Sequence, residues 1–429
     1  MRIVQDVMEA LAGIESGDQI YCQGMASTPT RLIEALASRS RTLTDVRLYH
    51  LHLEGPMPQV EPDLTDHLKD VSFFVGKNLR KAVNAGQSYY LPLFLSDVPW
   101  FLNRPAFHLK AAFIQVSPPD RHGYVSLGPT VEAILTAIER AETVIAQINP
   151  QVPRTLGFTH LPVSAIDYAI EVKDALPDVE PETLSDIDRQ IGYYVASLID
   201  DRATLQLGIG KIPDAVLTEL IHHQDLGIHS EMIADGVMRL AEAGVITGRY
   251  KTHDVGQMVS TFALGSRELY TFLDDNPSVA MRPVDYTNNT AVIRQQPGMT
   301  SINSAVEVDI TGQVAAESIG SHIISGVGGQ MDFVRGASLA PRGKSIIALP
   351  SRTSTGISRI VATLHPGAAV TTTRNHVQYV VTEYGIAELH GKTLDERAQA
   401  LIRIAHPEDR PDLVLQGRRT IPGFRGTLE

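Results

Sequence analysis

A chain of 429 residues, 43% hydrophobic and 20% charged, is long enough for two domains of about 200 residues, each closing its own core. No apolar run approaches the roughly 20 residues that cross a bilayer, no signal-peptide arrangement opens the sequence, and a net charge of -12 argues against a general nucleic-acid surface. The single cysteine, Cys22, permits neither an internal disulfide nor a cysteine-built metal cluster, so a cytoplasmic protein with no nucleic-acid or membrane partner is expected.

In chain order, MRIVQDVMEALAGIESGD reads as an amphipathic helix closed by glycine. From Ile20, IYCQGMASTPTRLIEALA gives an apolar run, a glycine-bearing turn, a proline and a helical pattern. HLHLE then places His50, His52 and Glu54 at alternating positions, which on a strand would share one side. Such a pair of histidines is short and common, and no later cluster completes a ligand set, so no metal is expected. Apolar runs such as AAFIQVS, GYVSLG and TVIAQIN alternate with helical patterns such as PTVEAILTAIERA, as parallel sheets with helical crossovers require. The proline- and acid-rich stretch between Pro150 and Asp186 reads as the connection between domains, which places them at 1–183 and 184–429. Ser185 is positioned to N-cap the helix SDIDRQIGYYVASLI that follows.

A second copy of the opening plan begins at Leu205, as LQLGIGKIPDAVLTELI. Roughly a hundred residues after each copy an aspartate is followed three positions later by glycine and then a short apolar strand: Asp120 to Gly123, and Asp309 to Gly312. Matching landmarks at similar separations predict a tandem duplication: an α/β fold of two similar, open, mostly parallel domains, with the active site sought where the halves meet. Strands in the second half are expected at SAVEVD, SIIALP, AAVTTT and QYVVTEYG, among others.

The loop GIGKIP follows an apolar run and opens a helix, so its amides can face an anion or a developing oxyanion. Pro213 stands where a dinucleotide fingerprint has its third glycine, and a purely conformational role for the turn stays open. In LGIHSEMIADGVMRL, the strand Leu226 to Ile228 leads directly to a helical pattern. Glu231 is therefore expected at a strand's carboxyl end and in a first helical turn, where open α/β sheets expose reactive groups. Acidic residues also occur there simply to complement the helix dipole. Asn303 carries an amide able to donate to a carbonyl oxygen or to make a turn, and Gly326, Gly328 and Gly329 suit either a ligand cradle or a turn. No GxSxG elbow supports serine chemistry. From Arg335 onward 13 Lys and Arg face 8 Asp and Glu, which suits a large anionic ligand as well as an ordinary solvated surface.

Taken together, GIGKIPDAV, GIHSEMIADG, SGVGGQMDF and VTEYGIAELHGKTLDERAQALIRIAHPEDR, with FIQVSPPDRHGYVSLG and INPQVPRTLG in the first half, resemble the acetyl-CoA hydrolase and transferase family. The likeness is nearest to 4-hydroxybutyrate CoA-transferases and covers nearly the whole chain. It implies that Glu231 becomes a glutamyl-CoA thioester, that Gly208, Ile209, Gly210, Lys211 and Ile212 form a CoA-binding turn, and that Asn303 with Gly328 and Gly329 contacts CoA or the thioester oxygen. It also implies no permanently bound cofactor, with acyl-CoA and short-chain carboxylic acids as substrates, and a homodimer or homotetramer. A carboxylate needs no deprotonation at pH 7 to act as a nucleophile, which fits this chemistry. Hydrolysis of the same intermediate by water is the neighbouring alternative; a non-catalytic CoA sensor is the alternative from another class. Met25, His52 and Gln115 are candidates for the acyl pocket.

Overall fold

The computed structural model describes residues 1–179, 182–208 and 210–426. Two compact units emerge, one made of Met1–Glu180, Ser230–Asp235 and Gln257–Asn289, the other of Pro181–His229, Gly236–Gly256 and Thr290–Glu429. Among the described residues no helix is long and apolar enough to cross a membrane.

Between Met1 and Val179 ten strands run in chain order as β1 (Arg2–Ile3), β2 (Gln19–Cys22), β3 (Val46–His50), β4 (Leu68–Ser72), β5 (Ser88–Tyr90), β6 (Ala111–Val116), β7 (Tyr124–Ser126), β8 (Thr143–Ile148), β9 (His160–Pro162) and β10 (Tyr168–Glu171). Eight of them form one sheet in the order β1-β10-β8-β6-β2-β3-β4-β5, with every neighbouring pair parallel. Strands buried on both faces read as continuous apolar runs, and β6 is buried at all six positions. The helix Thr30–Ser40 lays Leu32, Ile33, Leu36 and Ala37 into this core at helical spacing. Each such Leu or Ile contributes about 1.5–3 kcal/mol when fully buried.

In the second unit β11 (Thr204–Leu207) and β12 (Gly227–Ile228) begin a six-stranded sheet, ordered β12, β11, Thr300–Ser304, Lys344–Ala348, Tyr379–Thr382 and Gly385–Glu388. Only its last pair is antiparallel. Its core lies under the helix Leu394–Ile404, whose N-terminus is closed by a capping box between Thr393 and Glu396.

The duplicated plan is present in the topology. β2 sits between β3 and β6 just as β11 sits between β12 and Thr300–Ser304. The two aspartate landmarks build the same turn: Asp120 Oδ1 accepts from the amides of His122 and Tyr124, and Asp309 Oδ1 from those of Thr311 and Gln313. Gly123 and Gly312 complete these turns with φ of 79° and 94°. Ser185 caps the helix Asp186–Ala196 through a capping box with Asp188, as its sequence position requires.

Three expectations are corrected. The N-terminal helix is reduced to Val7–Ala10, because Arg2–Ile3 pairs with β10 at the sheet edge. The helical pattern PTVEAILTAIERA starts only at Ile134, since Glu132 takes a left-handed φ of 36°. AAVTTT is not a strand; Thr372 alone makes a bridge, to Val314. Ser230–Asp235 and Gln257–Asn289 pack with the first unit. Backbone hydrogen bonds hold them there, from Ala263 N to Pro129 O, Val131 N to Thr261 O and Phe158 N to Met281 O, each 2.8 Å. Gly157 allows the last of these contacts, because a Cβ there would stand 2.3 Å from Met281 O.

Candidate active site

Glu231 lies between two short strands rather than in a helix. Two residues separate it from the end of β12, it precedes the strand Met232–Ile233, and the helix expected to contain it starts at Asp235. Met232–Ile233 pairs in parallel with Phe262–Ala263, which sets Glu231 beside residues 260–262. Its carbonyl oxygen accepts three hydrogen bonds, from Thr261 N at 3.1 Å, Phe262 N at 3.2 Å and Ser260 Oγ at 3.0 Å. The side chain is half-buried, and Oε2 accepts from Asn288 Nδ2 at 3.0 Å. A carboxylate anchored at both its backbone and one oxygen is oriented before any ligand arrives.

Asn288 follows the short helix Val284–Thr287 and is fully buried, 57 positions from its partner. Nothing in DYTNNTAV distinguishes it by sequence, so it was not among the expected site residues. A second residue missed is Glu132, whose Oε1 accepts from Gly24 N at 2.9 Å and whose Oε2 accepts from Tyr21 Oη at 3.3 Å. Complete burial pushes its pKa from 4.5 up to about 8, against the lowering effect of the Gly24 amide and the Tyr21 hydroxyl, so the carboxyl is neutral at pH 7. Its visible signal was an acid inside an otherwise apolar stretch, VEAIL.

In the second unit, β11 leads into the loop of Gly208 and Gly210 and then the helix Lys211–Glu219. Ile209 lies outside the described residues. Gly210 occupies the N-cap with φ 109° and ψ -178°, so the residue at the cap offers no side-chain acceptor to the helix start. Lys211 Nζ stands 3.6 Å from Glu182, while Ile212 is buried. Asn303 is part of the strand Thr300–Ser304 and exchanges amide hydrogen bonds with Gln206 on β11, at 3.1 and 3.4 Å. Gly328 has φ 52° and Gly329 is the N-cap of the helix Gln330–Leu339, again without a side-chain cap. Within this unit the sheet's carboxyl-terminal side therefore carries Asn303 and two helix starts whose caps are glycine.

The remaining candidates are placed within the first unit. His50 and Asp70 form a fully buried pair, with Nε2 2.9 Å from Oδ1. Burial opposes ionisation of Asp70, but His50, Ser88 and Gln59 hold its carboxyl below the usual range. His52 Nε2 lies 2.8 Å from Glu54 Oε1, so the two histidines of HLHLE turn to different carboxylates. Met25 N donates to His52 O at 2.7 Å, which brings two of the acyl-pocket candidates together. Gln115 is committed to a buried amide network, its Oε1 accepting from Gln147 Nε2 and Asn149 Nδ2.

Comparison with known proteins agrees with this architecture. The N-terminal domain of the acetyl-CoA hydrolase/transferase family matches residues 1–179, and its C-terminal domain matches residues 265–416. A 4-hydroxybutyrate coenzyme A transferase of Clostridium kluyveri is 46% identical over 407 residues, 95% of each chain. A succinyl-CoA:acetate/propanoyl-CoA:succinate CoA transferase of Fasciola hepatica is 45% identical over 410 residues, 94% of this chain and 85% of that one. Among solved structures, RipA from Yersinia pestis superposes with a TM-score of 0.91 at 32% identity, and a 4-hydroxybutyrate CoA-transferase from Porphyromonas gingivalis with 0.84 at 37%; each comparison covers 97% of both chains. The chain therefore belongs to the acetyl-CoA hydrolase/transferase family, as its motifs implied, and its enzyme class is that of an acyl-CoA:carboxylate CoA-transferase.

Proposed function

We propose that this enzyme moves CoA between a short-chain acyl-CoA, such as 4-hydroxybutyryl-, butyryl- or acetyl-CoA, and a free carboxylate such as acetate, with Glu231 as the covalent nucleophile. The observation that carries the reading is the Glu231 carboxylate, half-buried and oriented by Asn288 on a backbone fixed at three points. Relatives named for 4-hydroxybutyrate and for butyryl-CoA with acetate support the substrate class.

One Glu231 oxygen attacks the thioester carbonyl, the C–S bond breaks, and a mixed acyl-glutamyl anhydride forms with CoA thiolate as leaving group. The thiolate then attacks the glutamyl carbonyl, expels the first carboxylate and leaves a glutamyl-CoA thioester. An incoming carboxylate reverses both steps, so the acyl-transfer energy is conserved. No net proton is taken up or released. At the glutamyl carbonyl the Asn288 amide is placed to donate to the oxyanion, the kind of contact worth about 10²- to 10³-fold in rate. At the CoA side the Gly208–Ile212 turn is assigned the nucleotide and pantetheine arm, and Asn303 with the Gly328–Gly329 amides the thioester oxygen. Binding of the remote arm then helps position the reacting end.

The test is to incubate the protein with butyryl-CoA and no acceptor, reduce any enzyme thioester with borohydride, and map the modified residue by mass spectrometry. Modification at Glu231 is expected, together with CoA exchange that depends on added acetate. A label at another residue, or exchange at normal rate by Glu231→Ala, rejects the nucleophile; CoA release that is indifferent to acetate would identify hydrolysis instead.

A further inference from the structure

Glu132 is fully buried, yet two hydrogen-bonded routes leave it and meet again at Glu231. In the first, the amides of Val131 and Glu132 both donate to Thr261 O, at 2.8 and 3.3 Å, and Thr261 N donates to the Glu231 carbonyl. In the second, Glu132 O accepts from Val284 N at 3.2 Å, Val284 O accepts from Asn288 N at 2.9 Å, and the Asn288 side chain donates to the Glu231 carboxylate. The Glu132 side chain ties this junction to the end of β2 through Gly24 N and Tyr21 Oη.

We propose that Glu132 is a positioning residue for the Glu231 centre, fixing both the segment that holds the Glu231 backbone and the helix that delivers Asn288 to its carboxylate. The proposal rests on the assignment of Glu231 as nucleophile. Packing alone does not account for an acid here. A fully buried carboxyl is costly to desolvate, and a leucine would fill the space without that cost. Glu132 also holds a left-handed φ of 36°, a conformation a side-chain-bearing residue adopts only where its surroundings impose it. A neutral carboxyl accepts from Gly24 N while keeping the loop free of a buried charge, so the junction stays closed at neutral pH. The titratable groups that face it are Tyr21 and Cys22 on β2, both held neutral with their pKa values raised mainly by burial. The segment Ser260–Phe262 brings none. On the helix side Asp285 is exposed, and Arg282 lies over the rings of Phe158 and Tyr286; Glu231 is the carboxylate on the remaining neighbour.

The experiment uses full-length protein, butyryl-CoA and acetate, and follows the rate of thioester formation at Glu231, steady-state kcat and KM, and thermal unfolding. For Glu132→Ala, labelling should slow at least about 30-fold with the KM for butyryl-CoA changed less than about 3-fold, since placement and not CoA affinity is lost. Glu132→Gln keeps the shape and the Gly24 acceptor, so its rate should recover to within about 5-fold of wild type. The wild type should lose kcat as pH rises through about 8, when the Glu132 carboxyl ionises, and Glu132→Gln should not. A folded Glu132→Ala labelled at the wild-type rate overturns the proposal. If that variant does not fold, a Glu132→Gln enzyme that retains the alkaline fall overturns it equally. Mapping the label in the wild type separates the two claims: label at Glu231 with unaffected variants rejects only the positioning role, whereas label elsewhere rejects the nucleophile and this proposal with it.

Discussion

The surroundings of Glu231 and of the Gly208–Ile212 turn are built on opposite principles. Glu231 has a carbonyl with three donors and a carboxylate oxygen held by a buried amide. Among the described residues, chain neighbours apart, no atom would come within 4 Å of a Cβ added at Gly208 or Gly210, and the N-cap of the following helix is glycine. Groups that change covalently gain from being held in advance, while groups that receive a ligand must leave room for it. The largest expected effect tests whether these tasks are separate. If Glu231 is the nucleophile proposed above, Glu231→Ala should lower acyl-exchange kcat by at least about 10⁴-fold. CoA binding measured by calorimetry should persist. If CoA binding disappears with the exchange, the division of labour is wrong.

The rigidity around Glu231 has a pH signature through Glu132. In the unfolded chain this carboxyl ionises near 4.5, in the fold only near 8. Between those values the folded state holds a proton that the unfolded state has released. Its contribution to stability is therefore complete below about pH 4.5, declines as pH rises, and is gone by about pH 8, a change on the order of 4–5 kcal/mol at most. Glu132→Gln has no proton to lose. The difference in unfolding free energy between variant and wild type, from denaturant titrations at pH 5, 6, 7 and 8, should drift steadily in favour of the variant. A difference that does not change with pH removes the neutral carboxyl from the account.

What could be read from the sequence was what depends on neighbours along the chain. The twin turns at Asp120 and Asp309 are legible because a short acceptor and the amides two and four positions on are enough to make them. Ser185 was legible for the same reason. The helix Thr30–Ser40 was found from its apolar spacing. The placement of Glu231 was not, because its short strand pairs with Phe262–Ala263 and its carboxylate partner is Asn288, and neither pairing leaves a periodic trace. The late start of the helix at Ile134 is hidden for a related reason: the left-handed φ at Glu132 is imposed by contacts with Gly24, Thr261 and Val284, all remote in sequence. Motif likeness singled out Glu231, but the residues that hold it were visible only in three dimensions.

Asn288 offers a sharper cut through the rigid side. Asn288→Ala removes the donor to Glu231 Oε2 and should cost roughly 10²- to 10³-fold in kcat, about 2.7–4 kcal/mol in transition-state stabilisation. Pre-steady-state labelling should show the deficit in thioester formation itself. Equal loss of kcat and of CoA affinity would instead mean that the substitution collapses the loop.

The smallest expected effects lie on the open side, where two glycines separate conformational need from ligand approach. Gly210 has φ 109° and ψ -178°, a region that essentially only glycine occupies, so Gly210→Ala should destabilise by about 1–3 kcal/mol and raise the KM for acyl-CoA as the turn deforms. Gly208 lies outside the left-handed range and an added methyl group meets nothing within 4 Å, so Gly208→Ala should leave the unfolding midpoint within about 1 °C of wild type. If the CoA arm passes close over this turn, the Gly208 methyl group must nevertheless collide with it, and the KM for acyl-CoA should rise several-fold at unchanged stability. Should both kinetics and stability of Gly208→Ala match the wild type, the turn is there to start a helix and the CoA arm lies elsewhere in the second unit.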